Sequence, residues 1–147
     1  MSYRHGFGFA LSPERLWSEL EAVDQFERWW PWLTDLTVDG PGLAEGSVLT
    51  GVVSPPLPYH MRVRIEVVEC ERLHLISAVI GGDLTGPSTL RFRPDGDGTW
   101  VDATWTLEMQ QPAMRLASRI GRPLLQWGHD RVVDLTVAGF RRRIEAL

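Results

Sequence analysis

Tyr3, His5, Phe7 and Phe9 alternate with Arg4, Gly6 and Gly8, a period of two that predicts a β-strand with an aromatic face. Ser12-Pro13-Glu14 then opens a helix, with an N-cap hydroxyl, a proline in the first turn and an acid near the positive dipole end. Leu16, Trp17, Leu20 and Val23 give that helix its apolar stripe. Asp24 and Glu27 have the spacing of a capping box for a second short helix, Asp24 to about Trp29, which Pro31 ends. The pattern then turns to β. Strands are expected at 33–39 and 46–54, joined by the Asp39-Gly40-Pro41-Gly42 turn. The cleanest half-buried strand places Tyr59, Met61, Val63, Ile65 and Val67 on one face and His60, Arg62, Arg64 and Glu66 on the other. Further strands are predicted at 73–80, at 83–93 after the Gly81-Gly82 hairpin, and at 101–109, where Val101, Ala103, Trp105, Leu107 and Met109 alternate with polar residues.

The remainder reads as helix. A short piece runs from Pro112 to about Ile120, Gly121-Arg122-Pro123 interrupts it, and a longer helix spans 124–145. At about 100° per residue, Leu125, Gly128, His129, Val132, Thr136, Gly139 and Phe140 share a face, with Asp130, Asp134 and Arg141 opposite. The order of elements predicts an α+β fold: a seven-stranded curved antiparallel sheet gripping a long C-terminal helix, with two short helices after the first strand. Apolar faces that meet across such a curve, rather than by flat packing, leave a cavity.

Length and composition narrow the function. The 147 residues suit a single domain spanning the whole chain, with 44% hydrophobic and 23% charged residues. All 15 basic residues are arginine, which removes lysine Schiff-base chemistry and a phosphate-cradling lysine. A net charge of −4 without a basic tract argues against nucleic-acid binding. Cys70 is the single cysteine, so no internal disulfide forms. The four histidines have no metal-ligand spacing, and no glycine motif of a dinucleotide site is present, so neither metal nor cofactor is expected. No apolar stretch approaches membrane-spanning length, and the expected location is cytoplasmic.

The chain resembles the START-like (SRPBCC) superfamily, which includes polyketide cyclase/dehydrase-like proteins, lipid-transfer START domains, plant abscisic-acid receptors and the birch-pollen allergen. The resemblance rests on residues 11–17 (LSPERLW), 26–32 (FERWWPW), 82–87 (GDLTGP), 97–101 (DGTWV) and the Trp127-Gly128-His129-Asp130 helix, and it covers 1–147. It implies the helix-grip fold and an internal pocket for a hydrophobic or aromatic small molecule. The alternative it implies is a metal-free cyclase/aromatase of the lyase class, catalysing aldol cyclisation or dehydration. A third reading is an interaction module whose groove binds a partner protein.

The expected pocket lining is Trp105, Leu107, Tyr59, Met61, Val63 and Leu90 from the sheet, with Leu125, His129 and Val132 from the helix. His129, Tyr59 and Ser88 are the candidates for proton transfer, and each is equally read as a structural residue. His5 shares the face of Phe7 and is weighed in the same way. Asp130 lies about 100° from His129 on the wheel and is not expected to form a dyad with it. Trp29, Trp30 and Trp32 are read as a packing plug or as an aromatic wall. The connection Ser54-Pro55-Pro56-Leu57-Pro58 is a plain loop, or a gate of the kind abscisic-acid receptors place there. Arg115, Arg119 and Arg122 form a solvated face, or a landing site for a carboxylate or an acidic carrier protein. The assembly is expected to be a monomer or a homodimer.

Overall fold

Alternating residues at the start of the chain form β1 (Ser2–Phe9), which leads into α1 (Pro13–Glu21). The Ser12 hydroxyl caps α1 by accepting from the Arg15 N–H, and Pro13 occupies the first turn, where no intrahelical partner is needed. A 3-10 turn (Val23–Gln25) and α2 (Phe26–Trp29) precede six strands: β2 (Leu33–Asp39), β3 (Val48–Val53), β4 (Met61–Glu71), β5 (Leu75–Gly82), β6 (Leu84–Asp95) and β7 (Gly98–Thr106). A two-residue strand, β8 (Glu108–Met109), and the helix α3 (Gln111–Glu145) complete the chain. A computed structural model describes residues 2–55 and 60–145, and for Met109 and residues 111–125 the backbone course only.

The sheet is antiparallel throughout, in the order β1-β7-β6-β5-β4-β3-β2, with β8 pairing β6. Curvature comes from local departures from regular pairing. The β4–β5 register slips between Val67 and Glu69, and β2–β3 slips between Thr34 and Thr37. On β6, Gly86 has φ +145°, and a Cβ there would sit 1.9 Å from the Thr106 carbonyl oxygen. Only glycine lets β6 bend against the end of β7 at this point. Asp83, at the β5–β6 turn, holds the start of β4: its carboxylate accepts from the Arg62 N–H at 2.8 Å, and its own N–H donates to the Arg62 carbonyl.

The concave face receives α3. Phe140, 4% exposed, meets Phe9 and Trp29 edge to face at 5.4 and 5.5 Å. Trp30 donates its indole N–H to the Thr136 carbonyl at 2.8 Å, and Arg143 pairs with Glu19 of α1 at 3.0 Å. Gly139 is what permits this closeness, since a Cβ there would lie 2.4 Å from the Trp29 carbonyl oxygen. Leu16, at 1% exposure, and Trp17, edge-on to Phe92 at 5.4 Å, close the other side of the core from α1.

The seven-stranded curved sheet, the short helices and the gripping helix match the reading from sequence. Three details differ. The predicted strand at 101–109 divides at Leu107, because β7 ends on β1 and β6 while residues 108–109 pair with Leu84 and Thr85. The interruption expected at Gly121-Arg122-Pro123 is absent, and α3 runs unbroken over 35 residues. A proline removes one intrahelical hydrogen bond, and a helix of this length retains the rest. Asp24 and Glu27 do not form a capping box: Glu27 accepts instead from the Leu36 N–H at 2.6 Å, tying α2 to β2.

Candidate functional site

Between the sheet and α3 lies a cavity of about 460 Å3. The alternation in β4 sends Met61, Val63 and Ile65 into it, β6 sends Ser88, Leu90 and Phe92, and β7 sends Val101, Ala103 and Trp105. Leu107 continues that wall. From α3 come Gly128, His129, Val132, Val133, Thr136, Val137 and Phe140. Trp30 and Trp32 close the end near α2, with their rings stacked at 5.7 Å, so this cluster is both packing and cavity wall. Among the described lining residues none is Asp, Glu, Lys or Arg.

The polar atoms that reach the wall are mostly bonded already. Trp105 donates its indole N–H to His129 Nε2 at 3.0 Å. An indole nitrogen can only donate, so Nε2 is the acceptor and the imidazole proton resides on Nδ1. That proton faces the Asp130 carboxylate at 3.1 Å, which also accepts from Gln126 at 2.8 Å. The wheel reading of Asp130 is therefore corrected: backbone directions 100° apart did not account for the carboxylate bending back along the helix surface to the imidazole. Tyr3 stacks on Trp105 at 4.5 Å and meets His129 edge-on at 5.0 Å. Burial first, and then the Asp130 and Asp134 carboxylates, push the Tyr3 phenol up, so it stays neutral at physiological pH. Thr136 bonds the Val132 carbonyl, and Thr50 bonds Thr37.

A family described as polyketide cyclase / dehydrase and lipid transport matches residues 7–145. The chain belongs to that family. Among solved structures, a Thermus thermophilus protein is 21% identical, with TM-score 0.76, covering 99% of this chain and 98% of its own. A START superfamily protein from Mycobacterium smegmatis is 14% identical, with TM-score 0.74 and coverage of 99% and 97%. A norcoclaurine synthase point mutant from Thalictrum flavum, solved with a transition-state analogue, is 16% identical, with TM-score 0.56 and 94% of each chain covered. At such identities the likeness is one of fold. None of the curated proteins matches in sequence.

For this polyketide cyclase/dehydrase and lipid-transport family member, the cavity brings together Trp105, Leu107, Met61, Val63, Leu90, His129, Val132 and Ser88 of the residues picked from sequence. Tyr59 lies outside the described residues, as do residues 56–58 and the side chains of Leu125, Arg115, Arg119 and Arg122. His5 is exposed and is not among the described residues of this wall; its ring lies tilted beside Phe7 at 4.9 Å. Sequence reasoning missed Val133 and Val137, which widen the helical stripe into a broad apolar arc. It put Tyr3 on the aromatic face of the first strand but did not bring it to Trp105, which stands opposite Tyr3 in the β1–β7 register. The Trp32 indole N–H is buried and has no hydrogen-bond partner among the described residues. No described helix is long and apolar enough to cross a membrane.

The hydrogen bond from His129, the largest cause, holds the Asp130 carboxyl below its usual range. A carboxyl depressed in the folded state contributes stability above its unfolded pKa and loses it as pH falls through the folded one. Asp130→Asn should therefore flatten the acid limb of a Tm-against-pH curve below about pH 4, relative to wild type. The side chain is half exposed, so the effect should be modest; an unchanged acid limb would remove Asp130 from the network.

Proposed function

We propose that this protein binds a hydrophobic small molecule, aromatic or amphipathic, in the cavity between the sheet and α3. The observation that supports this most is the apolar lining around about 460 Å3, within the size range of small-molecule sites. The family's description, cyclases and dehydrases together with lipid transport, is compatible with it. A cyclase reading has one feature in its favour, the His129–Asp130 pair at the wall. General-base catalysis needs a free imidazole lone pair, and the Trp105 N–H already occupies Nε2. Binding is therefore the better-supported role, and catalysis requires Trp105 to swing away first.

Thermal shift with polycyclic aromatics, sterols and fatty acids, alongside native mass spectrometry of freshly purified protein, tests the reading. A ligand present at about 100 times its Kd stabilises the fold by about 2.7 kcal/mol, a Tm rise of about 5–10 °C at this length. No shift with any class, together with no co-purifying mass, would overturn it.

A further inference from the structure

We propose that the cavity selects uncharged ligands and that the Ser88 hydroxyl is their polar anchor, an inference that rests on the binding role above. Ser88 sits on the inner face of β6, paired with Trp105 across the β6–β7 ladder, and it lines the cavity. Every other hydroxyl or imidazole among the described lining residues is bonded inside the protein: Thr50 to Thr37, Thr136 to Val132, and His129 to Trp105 and Asp130. The Ser88 hydroxyl has no partner among the described residues and is half-buried. It is free both to donate and to accept, beside Trp105 on the cavity wall.

The charge rule follows from the same wall. An ionised carboxylate moved into an apolar site loses its hydration and needs a counter-charge in return. None of the described lining residues is a cation. Protonating His129 to supply one would leave Nε2–H facing the Trp105 N–H, two donors against each other, and Asp130 already balances that imidazole. An ammonium fares no better, because no carboxylate is among the described lining residues. The class that fits is an apolar, planar body ending in a hydroxyl, phenol or carbonyl, placed against Trp105 and bonded to Ser88.

Naphthalene, 2-naphthol and 2-naphthoate at pH 7 form a matched series for isothermal titration or fluorescence displacement. The proposal expects 2-naphthol to bind tighter than naphthalene, and 2-naphthoate to bind at least about 30-fold more weakly than 2-naphthol. Ser88→Ala should lower the 2-naphthol/naphthalene affinity ratio about three- to tenfold, the loss of one ligand hydrogen bond. Naphthoate binding as well as naphthol overturns the charge rule. A ratio unmoved by Ser88→Ala, in a variant with wild-type circular dichroism, overturns the anchor. Failure of all three probes, the apolar one included, counts against the binding role itself rather than against either refinement.

Discussion

Replacing Gly139 by alanine is expected to destabilise the protein by about 2–4 kcal/mol, although the same change at an open helical site stabilises by up to about 1 kcal/mol. The sign is inverted by the contact with α2. The added methyl would meet the Trp29 carbonyl oxygen at 2.4 Å and Trp30 Cδ1 at 3.0 Å, and the first of these is backbone that cannot rotate away. Relief requires α3 to lift, which weakens the Trp30-to-Thr136 hydrogen bond and opens the packing of Phe140 on Phe9 and Trp29. A Tm fall of about 6–12 °C in calorimetry is the expected reading. Gly128→Ala is the internal control, because Gly128 belongs to the same helix but borders the cavity. Its Tm should hold or rise. A Gly139→Ala variant as stable as wild type would mean that α3 is not held against α2 by this close approach.

That pair of glycines also marks where the sequence was legible and where it was not. Hydrophobic alternation in β4 and β7, and the 3.6-residue stripe of α3, identified the faces that meet across the cavity, since periodicity records burial directly. It placed Gly128 and Gly139 on one face of the helix. It could not separate the glycine that lines the cavity from the one pressed against a carbonyl, because that depends on where α2 crosses α3. The same limit applies to His129. Its inward direction was readable from the wheel, but its bonding was not. The acceptor role of Nε2 is set by Trp105, 24 residues away in sequence and brought opposite by the sheet's curvature. Breaks were overcalled as well. Gly121-Arg122-Pro123 weakens a helix locally, yet the missing hydrogen bond of one proline and the entropy of one glycine do not stop a helix of 35 residues.

Gly128→Leu should abolish ligand binding, lowering affinity for 2-naphthol by more than about 100-fold while leaving the fold intact. The leucine side chain adds four carbons to the α3 wall, at a position that lines the cavity with His129 and Val132. It removes the space that a bicyclic ring would occupy, and no polar group on the wall is lost. Stability should not suffer as binding does. Burying a leucine in a void gains about 1.5–3 kcal/mol, and glycine to leucine in a helix gains a few tenths to about 1 kcal/mol more, against which any crowding must be set. The expected signature is therefore a Tm at or above that of wild type with the ligand-induced shift gone. Overpacking would show as a lowered Tm, and Leu90→Phe, which fills the cavity from the sheet side, then provides the second reading. A well-folded Gly128→Leu that still binds 2-naphthol with wild-type affinity would place the ligand outside this cavity and end the proposal that the grip between sheet and helix exists to hold it.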